Sequence, residues 1–132
     1  MSKKSILYVE DDDFSRDIME MLFDDLPDYE LIMFADSENF ETRLDELPES
    51  LRVILLDIHI QPHSGFDMLQ MIHENEKFSN LPVLALTASV MNEEIAQLRM
   101  SGFDGAIAKP IDQDNFPYYL SDILAGNAIW TV

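Results

Sequence analysis

Residues Val53-Ile54-Leu55-Leu56 are apolar at every position, and the run ends abruptly in Asp57. A strand with one wet face alternates apolar and polar side chains, whereas an unbroken run has to be covered on both faces. Ile6-Leu7-Tyr8-Val9, Val83-Leu84-Ala85-Leu86 and the short Ala106-Ile107-Ala108 have the same character, and Tyr29 to Phe34 reads as a further strand. Between these runs the apolar residues take helical spacing. Ile18, Met21, Leu22 and Leu26 form one stripe, starting from about Phe14 and stopped by Pro27. Phe40, Leu44 and Leu47 form a second, with Asp36 or Ser37 as N-cap and Pro48 beyond. Phe66, Leu69 and Ile72 follow Gly65; a fourth helix runs from about Asn92 to Met100, with Gly102 beyond its end. The last spans roughly Gln113 to Leu124, with Pro117 either in its first turn or delaying its start. Alternating strands and helices predict right-handed crossovers and a doubly wound α/β domain with a five-stranded parallel sheet.

A chain of 132 residues, 47% hydrophobic, is one domain with a real core. Its 26 acidic and 8 basic side chains give a formal charge of −18, which repels nucleic acid and anionic membrane surfaces alike. The absence of cysteine excludes disulfides, thiolate catalysis and cysteine-based metal sites. Behind Met1-Ser2-Lys3-Lys4 the apolar run stops at Val9, too short for a signal peptide, and no segment approaches a membrane span; cytoplasmic residence is the expectation.

In an open parallel sheet, ligands bind in the crevice outside the carboxyl ends of the strands. The strand ends carry Glu10-Asp11, Asp57, Thr87 and Lys109-Pro110. An apolar strand that ends in Asp57 has no packing reason to do so. Three carboxylates about 5 Å apart repel by about 3 kcal/mol per pair at an effective dielectric of 20, so the cluster calls for a cation. Carboxylates, a hydroxyl and an ammonium together suit a divalent cation plus a phosphoryl group. Asp12 and Asp13, at the start of the first helix, are read as capping residues.

Four fragments carry a family resemblance: Val-Glu-Asp-Asp at 9–12 with Arg16 behind it, Leu-Leu-Asp at 55–57 with Gly65 further on, Leu-Thr-Ala at 86–88, and Ala-Lys-Pro at 108–110. In this order, over about residues 4 to 125, the chain resembles the receiver domain of two-component response regulators, a flavodoxin- and CheY-like fold with strand order 2-1-3-4-5. The resemblance implies a receiver over residues 1–125 followed by an apolar tail over 126–132. It implies that Asp57 accepts a phosphoryl group from a phosphohistidine on a sensor histidine kinase or histidine phosphotransfer protein, forming an acyl phosphate. Asp11 then ligates Mg²⁺ directly, Glu10 partly through water, and the His59 backbone carbonyl completes the shell alongside Asp57. Lys109, aimed inward by a cis bond to Pro110, contacts the phosphoryl group, and Thr87 donates its hydroxyl to it. The implied protein is a stand-alone receiver that signals by binding a downstream protein. Its chemistry is confined to self-phosphorylation and autodephosphorylation at Asp57, without turnover of an external substrate.

Two positions depart from the family pattern. Gln61 stands where proline is usual and Pro62 follows, so the loop after the third strand is expected to take its own path. Ala106 replaces the aromatic switch residue, which shifts the expected conformational change to the Thr87–Asn92 loop and the fourth helix. His59 and His63 lie in one loop without a matching third ligand type and do not make a zinc site. Two other functions compete. A pseudo-receiver that never carries phosphate is opposed by the complete acid, threonine and lysine set. A flavodoxin-like cofactor carrier needs a hydroxyl- and glycine-rich phosphate loop, where this chain has Glu10 to Asp13. The apolar segment Ala128 to Val132 can dock a partner, make a homodimer with a second copy, or pack on its own domain beside the fifth helix.

Overall fold

The computed structural model describes residues 3–89 and 91–131. Met1, Ser2, Val90 and Val132 lie outside the described residues. The elements in chain order are β1 (Lys4–Val9), α1 (Asp13–Asp24), β2 (Tyr29–Phe34), α2 (Phe40–Asp45), β3 (Leu51–Asp57), α3 (Gly65–His73), β4 (Val83–Thr87), α4 (Asn92–Ser101), β5 (Gly105–Ala108), α5 (Phe116–Leu124) and β6 (Ile129–Thr131). All strand pairs are parallel, in the order β2-β1-β3-β4-β5-β6. The expected 2-1-3-4-5 order is therefore present, with a sixth strand added at the β5 edge.

Covering on both faces explains the unbroken apolar runs. Leu7, Val9, Ile54, Leu56, Ala85 and Ala106 point to one face, where Phe40, Leu44, Met68, Leu69, Ile72 and Leu98 of α2, α3 and α4 pack on them. Their neighbours Ile6, Tyr8, Val53, Leu55, Leu84, Leu86 and Ile107 point to the other, under Met19 and Phe23 of α1 and Phe116, Leu120 and Ile123 of α5. Each fully buried aliphatic side chain contributes about 1.5–3 kcal/mol, so the sheet is held chiefly by this double cover. Among the described residues no helix is long and apolar enough to cross a membrane.

Local chemistry sets the helix ends. The Asp12 carboxylate accepts from the Ser15 N–H at 2.8 Å and caps α1, as its position suggests. Ser64 and Asp67 exchange side-chain-to-backbone bonds of 3.2 Å, a reciprocal cap on α3. Gly102, at φ 102°, ends α4 in the left-handed region. Two helices start later than their sequence spacing implies. Ser37 is buried with its hydroxyl bonded at 2.7 Å to both the His63 carbonyl and the His63 N–H, so it holds a loop instead of capping α2, which begins at Phe40. The Asp112 side chain accepts from the backbone of Asp114 and Asn115, holding a turn that delays α5 to Phe116, with Pro117 in its first turn.

Candidate functional site

Because the strands are parallel, the carboxyl ends of β1, β3, β4 and β5 open on one edge of the sheet. Glu10, just beyond β1, has no solvent exposure. Its main chain is fixed by a 3.0 Å bond from its N–H to the Phe34 carbonyl and a 2.7 Å bond from Arg16 Nη1 to its own carbonyl. Oε1 accepts from the Tyr8 hydroxyl at 3.0 Å and faces Lys109 Nζ at 2.6 Å; Oε2 faces the Asp12 N–H at 3.4 Å. Asp57, the last residue of β3, is 5% exposed, with Oδ1 3.3 Å from the His59 N–H and 3.5 Å from Lys109 Nζ. Asp11 is exposed at the rim. One carboxylate oxygen from each of Glu10, Asp11 and Asp57 falls within 4.8 Å of the others.

The other expected participants are near the same edge. Lys109 follows β5, its N–H bonded at 2.9 Å to the Thr87 carbonyl, and its bond to Pro110 is cis, as is Gln61–Pro62. Thr87 is buried at the end of β4, but its hydroxyl is bonded to Ser89, accepting from the N–H at 3.1 Å and donating to the carbonyl at 3.3 Å. The loop after β3 turns back tightly against Asp57 through a 3.0 Å bond from the Gly65 N–H to the Ile58 carbonyl. A Cβ on Gly65 would lie 2.9 Å from Ile58 Cα and 3.0 Å from the Asp57 carbonyl oxygen, so only glycine permits this approach. The His59 ring is turned out of the pocket, with Nε2 3.1 Å from Glu94 Oε1.

The electrostatics show surplus negative charge. Burial, the hydrogen bond with Glu10 and the Glu10 charge push the Asp57 carboxyl up to about 7, against the pull of Lys109 and the His59 N–H. Burial opposes ionisation of Glu10, but its hydrogen bonds with Asp57 and Lys109 hold it below the ordinary value. Lys109 is half-buried, which opposes its charge, yet its contact with Glu10 and the Asp57 charge raise it. Burial, followed by the Glu10 charge, raises the Tyr8 phenol. Burial first, and then Glu10, keep Asp57 near its proton, and the single ammonium of Lys109 does not offset them. The donors are all hard oxygens, which fits Mg²⁺, and a bound cation offsets the Glu10 charge that adds to burial in raising Asp57. Among the described residues this is the cluster with metal-ligand spacing; neither His59 nor His63 belongs to it.

Tyr8 was not among the residues expected to act here. It lies inside an aliphatic run and reads as a strand former. The available signal is its spacing: residues two apart on a strand share a face, so a buried hydroxyl at 8 serves a buried acid at 10.

Residues 6–120 match the model of the response regulator receiver domain. Response regulator Rre1 of Synechocystis is 28% identical over 122 residues, which are 92% of this chain and 52% of that protein, so this chain spans about half of its length. The polar-differentiation response regulator DivK of Brucella suis is 27% identical over 114 residues, covering 86% of this chain and 89% of that protein. A crystal structure of a response regulator from Chloroflexus aurantiacus superposes with a TM-score of 0.82 at 22% identity, covering 94% of this chain and 99% of that one. The receiver domain of the sensor histidine kinase PA1611 of Pseudomonas aeruginosa, described with a magnesium ion coordinated in its active site cleft, gives 0.81 at 22%, with coverages of 94% and 99%. At such identity the solved structures speak for the fold.

Proposed function

Because this chain belongs to the response regulator receiver domain family, we propose that it is a phosphorylation switch with Asp57 as its acceptor. The observation that carries this is a buried carboxylate at a strand end, 3.5 Å from Lys109 Nζ and clustered with Glu10 and Asp11. In the proposed step an Asp57 oxygen attacks phosphorus of a phosphohistidine on a sensor kinase or phosphotransfer protein. The P–N bond breaks, its electron pair stays on the imidazole nitrogen, and that nitrogen takes up a proton. Glu10, Asp11, Asp57 and the His59 carbonyl would hold Mg²⁺, which when bound neutralises the phosphoryl oxygens. Lys109 leaves Glu10 to meet the new charge, and the Thr87 hydroxyl turns from Ser89 to a phosphoryl oxygen. Tyr8 keeps Glu10 ionised and in place.

Attack by water on the acyl phosphate returns the free carboxylate, so the chemistry resets the switch and turns over no other substrate. We assign the receiver to residues 1–125 with 126–132 appended, and its output to protein binding in the cytoplasm, without nucleic acid or membrane. Incubation with acetyl phosphate and Mg²⁺, read by intact mass, tests this. One phosphoryl group should add to the wild type and none to Asp57→Asn or in EDTA. A wild type that stays unmodified favours the pseudo-receiver.

A further inference from the structure

The strand β6 lies beside β5 in register Gly105↔Ile129, Ala106↔Trp130 and Ile107↔Thr131. Three features make this seat specific yet weakly held. A Cβ on Gly105 would stand 2.0 Å from the Ile129 carbonyl oxygen and 2.8 Å from its carbon, so the strand rests on a position where any other residue would evict it. Trp130, opposite the small Ala106, packs at the edge of the core with the Arg99 guanidinium 4.1 Å above its ring. A cavity of about 590 Å³ opens beside the start of the strand, lined by Arg52, Phe103, Ile123, Gly126 and Trp130 among others. Short edge strands with incomplete packing lie at the low end of local stability.

Arg99 is in the last turn of α4, and the first turn of the same helix is tied to the candidate site. Glu94 Oε1 is 3.1 Å from His59 Nε2, and the His59 N–H faces Asp57 Oδ1 at 3.3 Å. The helix therefore touches the loop beside the acceptor at one end and the edge strand at the other. We propose that β6 is a releasable strap, seated on β5 while Asp57 is free and set loose through α4 when Asp57 is phosphorylated. This rests on the acceptor role proposed above. Phosphorylation replaces the carboxylate that the His59 N–H faces, and the His59–Glu94 tie is the first contact to feel the change. A displaced α4 withdraws Arg99 from Trp130, and the unseated strand bares the β5 edge. The bias can be no larger than the difference in contacts between the two states.

Trp130 is the sole tryptophan of the chain, so intrinsic fluorescence reports on the strap directly. Emission and acrylamide quenching are measured in EDTA and then with Mg²⁺ and beryllium fluoride, with adduct formation followed separately by fluorine NMR. Gly105→Ala is the released reference, with circular dichroism to establish that it folds; N-acetyltryptophanamide serves if it does not. In EDTA the wild type should be quenched less than either reference. On adduct formation its quenching constant should rise about twofold toward them, as expected for a majority shift to the released state. Glu94→Ala should form the adduct while Trp130 stays silent. Equal quenching of wild type and reference in EDTA overturns the seat. An adduct without a Trp130 response overturns the coupling, and an unchanged response in Glu94→Ala overturns the route. Absence of any adduct defeats the acceptor role itself, and with it the strap's regulation.

Discussion

At the scale of single residues, the pocket is a balance of three acids, one base and one phenol. Removing the Tyr8 hydroxyl leaves buried Glu10 short of a donor. A hydrogen bond to a charged group contributes about 1.5–3 kcal/mol, so Tyr8→Phe should lower stability to urea by about that amount at neutral pH, most visibly without Mg²⁺. Asp57 gives a pH signature. Its carboxyl is raised from the ordinary 3.8 to about 7, so between those values the folded protein holds a proton that the unfolded chain has released. Its contribution is complete below the ordinary value and is lost as pH rises toward neutrality. In EDTA, melting temperature should therefore fall between about pH 5 and 7 in the wild type relative to Asp57→Asn, and a parallel course for the two would refute the assignment. The convergence of Glu10, Asp11, Asp57 and Lys109 on one edge was legible in sequence, because nothing in packing explains a charge at the end of a buried strand. Tyr8 was not, since its ring satisfies the strand pattern and only its tip belongs to the site. Thr87 was placed at the right strand end, but no pattern reveals that its hydroxyl bonds Ser89.

At the scale of elements, the strands were the most legible part, because being covered on both faces leaves an unbroken apolar run. Helix starts were less so, because they depend on where a side chain finds its partner. Ser37 bonds His63, and Asp112 bonds the turn before α5, so both expected helices lose their first turn. Ser64 shows the opposite case, a local capping box. Ser64→Ala should cost about 1 kcal/mol in urea denaturation and leave the acceptor chemistry intact, because the cap is formed within residues 64–67. β6 could not be settled from its apolar character alone. Docking a partner or a second copy and packing on its own domain fit the sequence about equally, and the choice rests on Gly105, whose missing Cβ admits the Ile129 carbonyl.

At the scale of the whole molecule, strand order came from resemblance to a family, whereas the number of crossovers came from the apolar pattern. The sheet order agrees from β2 to β5. The charge of −18 and the crowded acids at one edge make the metal-free fold electrostatically frustrated. A ligand that binds only the folded state adds about 2.7 kcal/mol at a hundredfold excess over Kd, so Mg²⁺ should raise the melting temperature of the wild type and much less that of Asp11→Ala. Equal shifts would mean general screening of the surface charge. The central claim, that Asp57 takes the phosphoryl group, is tested most directly by locating the modification. Protein treated with acetyl phosphate and Mg²⁺ is reduced with borohydride, which converts an aspartyl phosphate to homoserine, and its peptides are sequenced by mass spectrometry. Homoserine at position 57 and at no other aspartate is the predicted result; homoserine at Asp11, Asp12 or Asp13, with position 57 unmodified, would contradict it.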